Sequence, residues 1–311
     1  MVTLKPVTAH TPVLINEVLE YLAIGPGKTY LDVTFGSGGH TRAILEREPT
    51  SRVIAIDWDM KAIEEFGLPM QEEFGDRLTL LWGNFALLYR ILKREGIKSV
   101  DGILADFGTS QIQIAHRAGF SVYRDTPLDM RMSPSHQKVT AAIVLNKASA
   151  ATLQEIFSDF GQERYSKTIA QAIVQERQVK RFKTTGQLVD LIERVTPKQK
   201  GRRTIHPATR VFQALRIYVN HELDNITAFL KSAMTILPVG GRLVCISFHS
   251  LEDRLVKDFF KEQAKAENAT VLTKQIVIAQ AEELKRNPSA RSAKLRALQV
   301  DNIHPNESDI E

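Results

Sequence analysis

Leu31-Asp32-Val33-Thr34-Phe35-Gly36-Ser37-Gly38-Gly39-His40 is the stretch that decides the fold. An apolar run ends in an acid, a loop with three glycines follows, and Thr41, Ala43, Ile44 and Leu45 then take up a helical pattern. That order reads strand, tight turn, helix, the nucleotide-binding corner of a doubly wound α/β sheet. Glycine is needed in such a corner because a Cβ blocks close approach of the backbone to a ligand. The next apolar run, Val53-Ile54-Ala55-Ile56, ends in Asp57, nineteen residues after Gly38. Sheets of this kind place there the carboxylate that holds ribose hydroxyls.

Two details narrow the ligand. The loop departs from the dinucleotide spacing G-x-G-x-x-G, and Asp32 stands just before it. A carboxylate there suits a cationic or amine-bearing ligand better than a pyrophosphate. S-adenosylmethionine has an amine, a sulfonium and an adenosine ribose, and no phosphate to offer a helix N-terminus. A glycine turn that serves only the chain stays open at this point.

Composition sets the outer bounds. A chain of 311 residues with 43% apolar content is long for one domain and right for two, with ample material for a core. The single cysteine, Cys245, excludes an internal disulfide and a cysteine-based metal cluster. Its run Leu243-Val244-Cys245-Ile246 predicts burial in a strand. No apolar run approaches the ~20 residues of a membrane span, and Met1-Val2-Thr3-Leu4-Lys5-Pro6 lacks a signal-peptide core. The expectation is a soluble, cytoplasmic protein without membrane contact. Net charge is only +5, yet residues 115–205 hold 16 Lys and Arg against 8 Asp and Glu. A basic middle segment in a mildly acidic remainder reads as an attachment surface for a polyanion, or as a solvated helical face.

Along the chain, Val13, Leu14, Val18, Leu19 and Leu22 predict an amphipathic helix over residues 10–24. Strands are expected at 29–34, 52–57, 77–82 and 100–106, with helices at 40–48, 60–74 and 85–95 between them. That alternation specifies a mostly parallel sheet with crossover helices. From about 115 to 205 only helical spacing is found, as in Leu153, Ile156, Phe157 and Phe160. After His206-Pro207, the apolar positions from Phe212 to Leu237 predict one long helix, and 242–248 a strand. Ser250-Leu251-Glu252-Asp253 resembles a capping box opening a helix to about 266. Residues 270–278 and 293–300 read as strands of a hairpin at the sheet edge. The domain expectation is therefore 1–114 plus 206–311 for the α/β domain, interrupted by a basic helical domain over 115–205.

Ligands of such sheets bind outside the carboxyl ends of the strands. Asp106, ending the fourth strand, is placed to serve either a ligand's amino group or an incoming amine. Arg124 to Met132 is dense in charge without helical periodicity, as functional loops are. His206 to Arg210 opens a helix, and His249 follows a strand at the functional rim, where it could act as a base or a hydrogen-bond donor. The eight histidines show no ligand spacing such as H-E-x-x-H, so no metal is expected.

Taken together, these segments resemble the bacterial RsmH (MraW) family of 16S rRNA (cytosine-N4)-methyltransferases over nearly the full length. His10-Thr11-Pro12-Val13-Leu14 is similar to its opening and Thr34 to His40 to its cofactor loop. Pro127-Leu128-Asp129-Met130-Arg131-Met132, His206 to Arg216 and Ile246 to Arg254 are similar to its most specific motifs, and Asn287-Pro288-Ser289-Ala290-Arg291-Ser292 to its C-terminal one. The resemblance implies a class I S-adenosylmethionine-dependent methyltransferase, α/β and Rossmann-like, with an inserted helical domain. It implies cofactor contacts at Gly38, Gly39, His40, Asp57, Phe85, Asp106 and Gln113, with Asp57 on the ribose and Phe85 against the adenine. The implied acceptor is the exocyclic amine of one cytidine, position 1402, in the 16S rRNA of the small ribosomal subunit. Asp106 and His249 are then the catalytic candidates, and Arg124, Asp129, Arg131, His206 and Arg210 the substrate-binding ones. Ser110-Gln111-Ile112-Gln113-Ile114-Ala115 departs from the family's Ser-Ser-Pro-Gln-Leu-Asp, and Asp125-Thr126-Pro127 from its Asp-Gly-Pro.

Three rival readings stay open on the sequence: a methyltransferase for protein or small molecules, a non-catalytic RNA-binding or assembly factor, and a nicotinamide dehydrogenase. Nothing in the residues chooses between a monomer and a homodimer.

Overall fold

The central strands each feed two cores, because successive side chains point to opposite faces of a sheet. Ile54 and Ile56 of β2 (Arg52–Asp57), Ile103 and Ala105 of β4 (Gly102–Asp106), and Leu243 and Cys245 of β5 (Arg242–Ser247) enter one core. The helices Leu88–Arg94, Glu222–Ile236 and Ser250–Lys265 close that face with Ile91, Phe229 and Phe260. Val53, Ala55, Leu104, Val244 and Ile246 enter the other. It is closed by Ile15–Leu22, Gly39–Arg47 and the segment Met60–Phe74, through Val18, Leu22, Ile44 and Met70. Full burial of an aromatic such as Phe229 stabilises by about 1.5–3 kcal/mol. Burial also pushes the Cys245 thiol up, which keeps it inert.

The computed structural model describes residues 12–108, 117–197 and 206–302. They fall into two compact units: the residues up to Gly108 with those from Leu223 onward, and the residues between. The first unit holds a seven-stranded sheet of order β3-β2-β1-β4-β5-β7-β6, where β1 is Thr29–Asp32, β3 Leu78–Trp82, β6 Ala269–Val271 and β7 Lys294–Val300. The first five strands run parallel, and β7 lies antiparallel between β5 and β6. This is the Rossmann-like class I methyltransferase arrangement. The edge pair is no tight hairpin, since Ala281–Arg286 and a short turn lie between its strands, and the strand expected at 270–278 keeps only Ala269–Val271 and a bridge at Val277. Within Met60–Phe74 the helix widens to a π turn at Ile63–Gly67.

The second unit is helical. Ala141–Lys147, Ala150–Asp159, Ser166–Val179, Thr185–Val195 and Thr209–Asn220 surround a core that includes Leu145, Phe157, Ile173 and Leu191. Side chains of Thr140 and Ser149 cap the first two, and Thr184 with Gln187 forms a capping box on the fourth. The long helix expected through Leu237 is two helices. His221 turns left-handed, with φ 51°, and ends the first at Asn220. Val211, Phe212, Leu215 and Val219 then pack in the helical core, so Thr209–Asn220 lies outside the α/β domain in which the sequence reading put it.

Candidate active site

The winding of the sheet reverses between β1 and β4, and the crevice beyond their carboxyl ends is where such sheets bind ligands. Asp32, Asp57 and Asp106 each end a strand there. Asp32 braces the glycine loop: its Oδ2 accepts from the Thr41 hydroxyl at 2.8 Å and its Oδ1 from the Thr34 N–H at 3.1 Å. It is buried, so the ligand contact suggested by its position in the sequence is replaced by support of the loop. Asp57 accepts the Gly36 N–H on Oδ2 and the Asp59 N–H on Oδ1, both at 2.7 Å. One lone pair on each oxygen stays available for a pair of hydroxyls. Burial raises its pKa to about 6.

Gly36 and Gly38 take positive φ, 56° and 78°, which lets the loop turn and lets Gly38 cap the helix Gly39–Arg47. The loop rests on its own scaffold. A Cβ on Gly38 would stand 2.5 Å from Met70 and 2.8 Å from Phe35, and one on Gly39 2.8 Å from Pro12.

Asp106 and His249 each hold a buried polar atom without a hydrogen-bond partner among the described residues. The Asp106 backbone N–H donates to the Thr34 hydroxyl at 2.7 Å, tying β4 to the loop. Its carboxyl Oδ1 is buried with no hydrogen-bond partner among the described residues, and Oδ2 lies 3.7 Å from His40 Nδ1. Burial, partly offset by His40 and reinforced by the charges of Asp32 and Glu252, raises its pKa to about 7. A carboxylate oxygen buried without a partner costs stability, and the Asp106 side chain is 20% exposed at the crevice, so a ligand can reach it.

Phe85 packs half-buried beside the sheet's first core, with ring centroids 5.9 Å from Phe107 and 5.7 Å from Phe229. Gln113 lies outside the described residues. His249 caps the helix Ser250–Lys265, and the capping box begins there rather than at Ser250. Its Nδ1 accepts the Glu252 N–H at 3.4 Å, so Nε2 carries the proton of the neutral ring. Nε2 is 3.1 Å from Glu252 Oε1 but not aligned for a hydrogen bond. In this state His249 offers a donor and no free base.

The sequence reading did not single out Glu252, which is 1% exposed and takes the N–H groups of Phe248 and His249 on Oε2. Its place three residues after His249 was the available clue. It also missed the Thr34 hydroxyl, for which the sequence holds no cue.

In the helical unit, Asp129 and Arg131 satisfy each other in a two-pronged pair at 2.6 and 2.8 Å, which holds the Asp129 carboxyl below its ordinary range. Arg131 also donates to the Gln137 carbonyl. His206 lies 3.3 Å from Glu193 and stacks edge-on with Tyr123. Arg210 reaches the Gln162 carbonyl at 3.3 Å, and Arg124 is exposed.

The MraW methylase family matches residues 7–301. Ribosomal RNA small subunit methyltransferase H of Bradyrhizobium diazoefficiens is 45% identical over 303 residues, 93% of this chain and 90% of that protein. The proteins of the same name from Thermomicrobium roseum and a Cyanothece species are each 45% identical, covering 93% and 95% of this chain and 93% and 96% of their own lengths.

Proposed function

The chain belongs to the MraW methylase family, and from that premise we propose that it transfers a methyl group from S-adenosylmethionine to N4 of a cytidine in 16S rRNA of the small ribosomal subunit. The observation that carries the reading is the buried Asp106 Oδ1, without a partner among the described residues, at the carboxyl end of β4 beside the glycine loop. It fits an amine-bearing ligand, and Asp57 with one free lone pair per oxygen fits a ribose. Gly38, Gly39, His40 and Phe85 line the same cofactor site in this reading, with Gln113 as a further contact.

Bound S-adenosylmethionine supplies a methyl on a positive sulfur, which leaves as a neutral thioether when the cytosine nitrogen forms its bond to carbon. The protein's task is alignment and exclusion of water. Asp106 accepts a hydrogen of the cytosine amine, which localises the nitrogen lone pair for attack, and takes up the proton released after transfer. His249, protonated on Nε2, supports this as a donor. The target base must be unstacked to reach such a pocket.

Because Asp106 must be ionised to accept, turnover should rise with pH through an apparent midpoint near 7 and fall tenfold per unit below it. Single-turnover rates with cofactor saturating check this, and a flat profile from pH 5.5 to 8 contradicts it. The sign for stability is opposite. A carboxyl whose folded pKa is raised binds protons preferentially in the folded state, so its contribution to stability falls between about pH 4 and 7.

The helical unit supplies the polyanion surface in this reading, with Arg124 and Arg210 joined by the exposed Lys180, Arg181 and Lys183. Replacing those last three by alanine should weaken RNA binding at every sequence and flatten the log–log salt dependence by about 1 for each phosphate no longer neutralised. An unchanged slope removes them from the RNA surface. Equilibrium binding of S-adenosylmethionine against NAD, followed by partition of transferred label between RNA and protein, tests the reading as a whole. Preference for NAD, or label found in protein alone, overturns it.

A further inference from the structure

The opening motif holds the cofactor helix from outside. Pro12 seats against Gly39, and the Val13 carbonyl accepts from His40 Nε2 at 2.8 Å. A carbonyl has no proton to give, so Nε2 must carry the hydrogen, and the neutral form of His40 presents a bare Nδ1 to Asp106 Oδ2, 3.7 Å away. The other end of the same peptide group is also held: the Leu14 N–H donates to Glu283 Oε1 at 2.8 Å. One amide plane is thus clamped between His40 and a carboxylate of the helix Ala281–Arg286. Leu14 is left-handed, φ 53° and ψ 37°, and fully buried. A non-glycine residue keeps that conformation only where its surroundings fix it. Leu284 packs in the same core as Val13 and Leu14, so the carboxylate is anchored as well.

This matters for Asp106. Were the His40 proton on Nδ1, the protein itself would satisfy Asp106, and a ligand amine would have to displace that contact. With the proton on Nε2 alone, the neutral ring and the ionised carboxylate face each other as two acceptors, and Asp106 stays available. We propose that the Val13–Leu14 peptide, clamped by Glu283, fixes the tautomer of His40, which makes Glu283 a positioning residue for the cofactor and methyl-transfer site. The consequence for binding rests on the function proposed above; the tautomer does not.

The test is nitrogen NMR of the full-length protein with labelled histidine, read without cofactor, so its outcome stands apart from whether the chain transfers methyl groups. The parent should show His40 protonated on Nε2. Glu283→Ala should give a mixture of tautomers and weaken S-adenosylmethionine binding about tenfold, the lower end of what loss of the hydrogen-bond partner behind a metal-bound histidine costs. Glu283→Gln, which keeps an oxygen for the Leu14 N–H, should match the parent in both. If Glu283→Ala does not fold, Glu283→Asp, one methylene short, replaces it. A parent protonated on Nδ1, or a shortened variant with the parent's spectrum, overturns the proposal.

Discussion

Asp106→Asn should lower the methyl-transfer rate by about 10²- to 10⁴-fold with cofactor saturating, the usual scale for removing a positioned proton acceptor. That corresponds to about 3–5 kcal/mol of barrier. The substitution keeps volume and the backbone N–H to Thr34, so the link between β4 and the glycine loop survives. What disappears is the charge. Asparagine imitates the protonated acid at all pH values, so the rise through pH 7 expected of the parent should vanish with it. Single-turnover rates against pH measure both. A variant within a few-fold of the parent at pH 8 would remove Asp106 from the reaction and leave it a cofactor contact at most.

Gly38→Val should weaken S-adenosylmethionine binding at least about 100-fold, or roughly 2.7 kcal/mol. Two causes combine. Left-handed backbone costs an L-residue about 1–2 kcal/mol, and φ here is +78°. The new Cβ would also sit 2.5 Å from Met70 and 2.8 Å from the Phe35 ring. Met70 is flexible, but Phe35 is buried and the loop must move instead. Gly27→Ala is the control: its φ is +70° with nothing within 4 Å, so it carries the strain without the clash and lies away from the loop. Calorimetric titration should show the loss of affinity in Gly38→Val alone, because strain at Gly27 acts on folding and does not reach the loop. Equal loss in the two, or none in Gly38→Val, contradicts the close-packed loop.

The corner from Leu31 to Asp57 was legible because its physics is local: strand periodicity, glycines where φ is positive, and an acid at each strand end. The strand rhythm made the sheet legible for the same reason. The break at His221 was not legible, since a left-handed turn at a non-glycine residue leaves the apolar spacing on both sides intact. Asp129 and Arg131 read as substrate groups because charge was visible, whereas their mutual pairing depends on loop geometry. Asp106 and Asp57 were found by their strand-end positions. That Asp106 Oδ1 lacks a partner among the described residues while Asp32 is fully engaged follows from contacts of Thr34, Thr41 and His40, which no sequence pattern specifies. Glu283, some 270 residues from Leu14, is the extreme case.

The central claim is best tested by incubating small ribosomal subunits from a strain lacking this enzyme with labelled S-adenosylmethionine and the purified protein, then analysing the rRNA nucleosides by mass spectrometry. The account predicts label in N4-methylated cytidine, formed by the parent and abolished in Asp106→Asn. Label confined to protein, or to another nucleoside, or persisting undiminished in Asp106→Asn, would contradict it.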